Sequence, residues 1–109
     1  MTFPQFLPTS RVPSPSEAPA LNWGVLGTGW IAHQFVAAVR ASTRQRFVAV
    51  GSRSMDKAKA FASEIGVDAA HGSYAALVAD PNVQVIYVAT PHSEHAEHAL
   101  LAIEAGKHV

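Results

Sequence analysis

Two glycines and an alanine at the spacing Gly27-x-Gly29-x-x-Ala32 are the residues whose pattern most directly predicts a chemistry. They follow the apolar run 21–26 and open a stretch with helical periodicity. At such a strand-to-helix turn, the first glycine allows the tight turn and the second lets the backbone approach a pyrophosphate, while the small third residue lets helix and strand pack closely. The positive end of the helix dipole favours the bound phosphates. The turn, which includes the backbone N–H of Trp30, therefore predicts a dinucleotide site.

A second group lies where the second predicted strand ends, at residues 51–54. In NAD-binding sheets, an acidic residue about 20 positions after the glycines binds the ribose 2′-hydroxyl. This chain has Ser52 and Arg53 there and no carboxylate. A guanidinium can bind a 2′-phosphate bidentately, whereas a carboxylate would repel it. Ser52 and Arg53 therefore favour NADP over NAD, and Lys57, one helical turn on, is a further candidate. The alternative is that both cations are solvated, and Asp56 suits dipole compensation in the first helical turn.

The third group follows the strongest predicted strand, residues 83–89, which is rich in β-branched side chains. In a doubly wound sheet, ligands bind at the carboxyl ends of the strands, beside the topological switch point. We expect this strand to neighbour the first strand across that switch. Thr90, Pro91 and His95 would then face the nicotinamide half of the cofactor.

Histidines recur at three-residue spacing at His92, His95 and His98, and imidazoles bind zinc. We nevertheless expect no metal site, because no carboxylate or cysteine is placed to join them and His98 should turn away from the other two. His98 and His71 are both expected to be polar surface residues.

Strands that alternate with amphipathic helices predict an α/β fold, a Rossmann-type doubly wound parallel sheet that is cut after the start of its fifth strand. The other strands are expected near 21–26, 47–50 and 69–71. Ser54, Ser73 and Ser93 are the expected N-caps of the later helices, with Gly66 and Gly106 as C-terminal stops. The expected buried faces are Ile31, Phe35 and Val39; Ala58, Phe61, Ala62 and Ile65; and Ala96, Ala99, Leu100 and Ile103.

The composition excludes several classes of site and partner. The chain has 109 residues, a net charge of +0 and no cysteine, so disulfides and thiol catalysis are absent and nothing favours nucleic acid or an anionic membrane as partner. No apolar run approaches the roughly 20 residues of a membrane span, and with no usual secretory signal at the N-terminus, a cytoplasmic protein is the default expectation. Residues 1–20 hold five of the seven prolines and predict a disordered arm; an arm that embraces a partner subunit is the alternative.

Together, the sequence blocks 22–32, 51–54 with 57–58 and 61–62, 88–92 with 95, and 105–109 resemble the N-terminal domain of the glucose–fructose oxidoreductase/inositol dehydrogenase/MocA-like oxidoreductases. The resemblance covers about residues 21–109. It implies an NAD(P)-binding Rossmann domain of an enzyme that transfers hydride to or from sugars, polyols or related alcohols, as a homo-oligomer when full length. By position, it places Gly27, Thr28, Gly29, Trp30 and Ile31 at the pyrophosphate, Ser52, Arg53 and Lys57 at the ribose phosphate, and Thr90, Pro91, His92 and His95 at the nicotinamide riboside.

The resemblance also implies residues that this chain does not contain. In the family, a Glu-Lys-Pro motif with a catalytic lysine and a substrate domain follow the block that ends here at Val109. We therefore expect no catalytic residue within the 109 positions and no turnover by this polypeptide alone. Two other classes stay open: a non-catalytic nucleotide-binding sensor or scaffold on the same fold, and an S-adenosylmethionine methyltransferase, against which Ser52 and Arg53 argue.

Overall fold

Parallel strands form the centre of the molecule in a computed structural model that describes residues 14–109. They are β1 (Asn22–Leu26), β2 (Arg46–Gly51), β3 (Ala69–His71) and β4 (Val85–Val88), in the spatial order β3-β2-β1-β4. From β1, the chain adds β2 and β3 on one side and then returns to add β4 on the other side of β1. The boundary between β1 and β4 is therefore the topological switch point of a Rossmann fold. The predicted fold is confirmed, and His108 bridges to Val85 where a fifth strand was expected to begin.

In the described residues 14–109, each strand is followed by an α-helix: α1 (Trp30–Ser42), α2 (Met55–Ile65), α3 (Tyr74–Val78) and α4 (His95–Glu104). The expected caps of α2 and α3 are confirmed, because the hydroxyls of Ser54 and Ser73 accept hydrogen bonds from backbone N–H groups in the first turn. The prediction that Ser93 caps the last helix is wrong. Residues His92–Glu94 form a 3-10 turn instead, closed by a 2.9 Å bond from the Glu94 N–H to the Pro91 carbonyl, and α4 begins after it.

Two hydrophobic layers cover the two faces of the sheet. Because side chains alternate along a strand, Val25 and Val50 pack under α1 and α2, whereas Leu26 and Ala49 pack under α3 and α4. The expected face of α2 is confirmed. The expected faces of the other two helices are partly wrong: α1 buries Ala32 and Val36 while Ile31 is exposed, and α4 buries His98 and Ala102 while Leu100 and Ile103 are exposed.

The proline-rich arm was predicted over residues 1–20, and its first 13 residues lie outside the described range. The remainder contains a 3-10 turn at Pro15–Glu17. Arg44, Gln45 and Arg46 donate side-chain hydrogen bonds to backbone carbonyls between Glu17 and Ala20. This part of the arm is therefore held at the start of β2. Within residues 14–109, no helix has the length and apolar character needed to cross a membrane.

Candidate functional site

A cleft of about 860 Å³ opens at the carboxyl ends of β1, β2 and β4. It lies at the switch point, where α/β sheets bind their ligands. Every residue that the sequence proposed for a cofactor lines it: Gly27, Thr28, Gly29, Trp30, Ile31, Ser52, Arg53, Lys57, Thr90, Pro91, His92 and His95. The structure thus brings together residues from three separate parts of the chain. Their roles toward a cofactor stay predictions.

Gly27 has a backbone conformation and a neighbour that exclude any side chain. Its φ is +111°, and a Cβ built on it would lie 2.9 Å from the Ala89 carbonyl oxygen. Its N–H donates to the Gly51 carbonyl at 2.9 Å, and the Ala89 N–H donates to Leu26 at 2.8 Å. Since an L-residue is strained at positive φ and cannot enter a close backbone contact, this glycine lets the ends of three strands meet at the base of the cleft.

Gly29 is the N-cap of α1, and in contrast to Gly27 it has open space around it: a Cβ there would meet nothing within 4 Å. No side chain caps this helix. Among residues 14–109, the N–H groups of Trp30 and Ile31 have no hydrogen-bond partner, whereas the Ala32 N–H donates to the Gly29 carbonyl at 3.1 Å. Trp30 and Ile31, which follow, are 73% and 48% exposed. Open space before uncapped N–H groups at the positive end of a helix is suited to an anion.

The tip of β2 supplies the positive charge of the cleft. Ser52 is buried, and its N–H donates to the His71 carbonyl of β3 at 3.1 Å while its hydroxyl accepts from the Ser54 N–H at 3.2 Å. Arg53 and Lys57 are exposed, and salt bridges within residues 14–109 involve neither of them. Among residues 14–109, no aspartate or glutamate lines the cleft. The site is therefore electropositive around a hydroxyl whose backbone is fixed by the neighbouring strand.

The loop after β4 is held by two histidines of α4. His95 donates from Nε2 to the Thr90 carbonyl, and His98 Nδ1 is hydrogen-bonded to the Thr90 hydroxyl at 2.7 Å. His98 is only 6% exposed and Thr90 only 7%. The expectation that His98 is a surface residue turned away from His95 is wrong. Residues three apart share a face of a helix, and this face of α4 packs inward.

His71 is also more than a polar surface residue. Its Nε2 donates to the Asp80 carboxylate at 2.9 Å, joining the end of β3 to the turn before β4. Burial alone would raise the pKa of Asp80. The hydrogen bonds from His71 and from the Asn82 N–H, together with the charges of His71 and Lys107, outweigh that effect and hold the pKa of Asp80 below its ordinary value. The pair braces the strand whose carbonyl holds Ser52.

The sequence missed part of the lining: Ser54, Tyr74, Tyr87, Val88 and Ala89. Val88 and Ala89 directly precede the predicted Thr90, and Tyr87 stacks on Phe35 of α1 with ring centroids 3.6 Å apart. The position of these three residues in or next to β4 was the sequence signal that could have identified them as part of the cleft. Tyr74, at the start of α3, carried none. Across residues 14–109, no three histidine or acidic side chains are grouped to hold a metal ion.

The comparisons with known proteins converge on one family. The sequence profile of GFO_IDH_MocA, an oxidoreductase family with an NAD-binding Rossmann fold, matches residues 21–109. The chain is 46% identical over 101 residues to a D-xylose 1-dehydrogenase (NADP(+)) of Hypocrea jecorina, covering 82% of this chain and 26% of that protein. It is 40% identical over 92 residues to a trans-1,2-dihydrobenzene-1,2-diol dehydrogenase of Mus musculus, covering 83% and 28%.

A solved structure agrees. A 3-ketoreductase from Actinomadura kijaniata, crystallised with TDP-benzene and NADP, superposes with a TM-score of 0.77 at 34% identity, covering 84% of this chain and 29% of that one. The chain therefore spans between a quarter and a third of the length of these proteins.

Proposed function

Because the chain belongs to the GFO_IDH_MocA oxidoreductase family, whose NAD-binding domain has a Rossmann fold, we propose that it is the cofactor-binding part of an oxidoreductase that uses NADP in preference to NAD. The observation that carries the proposal is the charge of the cleft, which is lined by Arg53 and Lys57 and, in the part of the chain that the structure describes, by no aspartate or glutamate. The substrate class that we propose is a sugar, polyol or diol, the compounds in the names of the two dehydrogenases described above.

The pyrophosphate is assigned to the turn before α1. Gly29 leaves open space there, and the free N–H groups of Trp30 and Ile31 would donate to phosphate oxygens. Gly27 contributes by letting the backbone of this turn approach the loop after β4, and Thr28 lines the cleft between the two glycines. The helix end thus compensates the charge of the diphosphate without any side-chain cation from α1.

The 2′-phosphate is assigned to the tip of β2. Arg53 can present two parallel N–H groups to it, Lys57 adds a second positive charge from the first turn of α2, and the Ser52 hydroxyl adds a hydrogen-bonding group. NAD carries only a hydroxyl at that position, which neither attracts the cations nor satisfies their donors. This difference is the physical basis of the proposed preference.

The nicotinamide end is assigned to the loop after β4, where Thr90, Pro91, His92 and His95 line the cleft. When bound, the nicotinamide would accept or deliver a hydride. These residues would bind and orient its riboside, and the substrate contacts and proton transfer would come from parts of the enzyme that correspond to the unmatched length of the relatives. No catalytic residue is assigned within this chain.

Replacement of the guanidinium tests the assignment. Arg53→Gln removes a charge-assisted contact that contributes about 1.5–3 kcal/mol, so we expect NADPH to bind roughly 10- to 150-fold more weakly while NADH affinity changes less than about twofold. Cofactor fluorescence titration measures both affinities. Lys59→Gln is the matched control, because Lys59 is exposed on α2 but lies outside the cleft. An equal loss of NADPH and NADH affinity in Arg53→Gln would contradict the 2′-phosphate role.

A further inference from the structure

His98 is a buried polar residue on a helix whose other buried residue, Ala102, is apolar. It projects from α4 into the core layer around Ala102, is only 6% exposed, and does not line the cleft itself. A buried imidazole is stable only when its polar atoms have partners. Its Nδ1 has one, the Thr90 hydroxyl at 2.7 Å. Packing of the hydrophobic core does not by itself explain why a hydrogen-bonded pair of polar side chains, His98 and Thr90, is buried here.

Two residues that the His98 ring contacts line the cleft. Thr90 lies in the loop after β4, and Tyr74 lies at the start of α3, with its ring packed edge-on against His98 at a centroid distance of 4.5 Å. A single side chain outside the cleft therefore joins two parts of its wall that are far apart in sequence. We propose that His98 is a positioning residue that sets the geometry of the cofactor cleft through Thr90 and Tyr74; the inference rests on the proposed function of that cleft.

Thr90 is held at two of its polar groups from the same helix. His95 binds its carbonyl and His98 binds its hydroxyl, so both the backbone and the χ1 rotamer of Thr90 are fixed relative to α4. Loss of the His98 bond leaves the buried Thr90 hydroxyl without this partner, and a movement of the loop would relieve that cost. Such a movement would carry along Pro91 and His92, which border the assigned nicotinamide end.

Three variants distinguish a positioning role of His98 from a purely structural one: leucine at position 98, asparagine at position 98, and a substitution in a distant part of the core. His98→Leu fills most of the volume and removes the hydrogen bond, whereas His98→Asn keeps a polar atom near the place of Nδ1. Val67→Ala is the control, because Val67 is buried in the opposite core layer, away from the cleft. The NADPH dissociation constant and the melting temperature are measured for each variant.

We expect His98→Leu to bind NADPH about three- to tenfold more weakly, the fold-change that corresponds to one neutral hydrogen bond. His98→Asn should restore binding to within about twofold of the wild type, and Val67→Ala should lower the melting temperature with affinity unchanged. Wild-type affinity in a folded His98→Leu variant would overturn the inference, as would an equal loss of affinity in Val67→Ala. If the unmodified chain binds no NADPH, the proposed function and this inference fail together.

A measurement on the unmodified chain covers the case in which His98→Leu does not fold. The carbon-bound ring protons of His98 can be followed by NMR during titration with NADPH. Because His98 lies outside the cleft but is coupled to two residues that line it, we expect its resonances to shift at the same cofactor concentration as the binding signal. Unchanged resonances at saturation would overturn the inference.

Discussion

Alanine at the two glycines of the turn before α1 should have opposite consequences. In Gly27→Ala, the new Cβ would lie 2.9 Å from the Ala89 carbonyl oxygen at a φ of +111°. The conformation costs about 1–2 kcal/mol for an L-residue, and the overlap costs about 1–3 kcal/mol more. A total of roughly 2–5 kcal/mol should lower the melting temperature by about 8–40 °C, at about 4–8 °C per kcal/mol for a domain of this size.

In Gly29→Ala, the new Cβ meets nothing within 4 Å and φ is −78°, which any residue adopts. Only the poorer N-cap preference of alanine opposes it, at about 0.5–1 kcal/mol, or a few degrees of melting temperature. The methyl group would enter the space assigned to the pyrophosphate, so NADPH affinity should fall about tenfold or more, since one lost or lengthened charge-assisted hydrogen bond alone reaches that magnitude.

Differential scanning fluorimetry and NADPH titration distinguish the two variants. A Gly29→Ala variant that binds NADPH like the wild type would refute the placement of the pyrophosphate against this turn. A Gly27→Ala variant that melts within a few degrees of the wild type would refute the argument from close backbone approach.

Two further substitutions test parts of the scaffold. The pKa of Asp80 is held below its ordinary value. The stabilisation that ionised Asp80 gives the folded state should therefore be complete above about pH 4 and be lost as the pH falls through the lowered pKa. We expect the wild type to melt at a higher temperature than Asp80→Asn at pH 6, and the difference in melting temperature to close in acid. A gap that is constant from pH 6 to pH 3 would contradict this. Ser54→Ala removes the cap of α2 and should cost about 0.5–2 kcal/mol, whereas Ser63→Ala, exposed on the same helix, should leave the melting temperature unchanged; equal effects would argue against the cap.

The features that were predictable from the sequence are those that local chemistry determines. The glycine turn, the strand tip at Ser52 and Arg53, and the caps at Ser54 and Ser73 each depend on a few adjacent residues. Their assembly into one cleft followed from the sheet order, which βα alternation already implies.

The features that could not be predicted depend on which face of a helix packs. Residues 99–103 of α4 are all apolar, so periodicity does not identify the buried face. Prediction of Leu100 instead of Ala102 as a buried residue led to the wrong prediction that His98 is exposed. Close packing against the sheet favours the small Ala102, which turns His98 inward to Thr90. Tyr74 was missed for a related reason, because only the tertiary fold brings the start of α3 to the cleft.

Arg53 and Lys57 form no salt bridge within residues 14–109, and the binding of the NADP 2′-phosphate by these two cations is the central property of the proposed site. Parallel titrations of the unmodified chain with NADPH and NADH, in one buffer, test it directly. We predict saturable binding of both cofactors, with NADPH tighter by about tenfold or more, the contribution expected of a charge-assisted contact to the 2′-phosphate. Equal affinities or tighter NADH would contradict the assignment of Arg53 and Lys57, and no binding of either cofactor would contradict the cleft as a cofactor site.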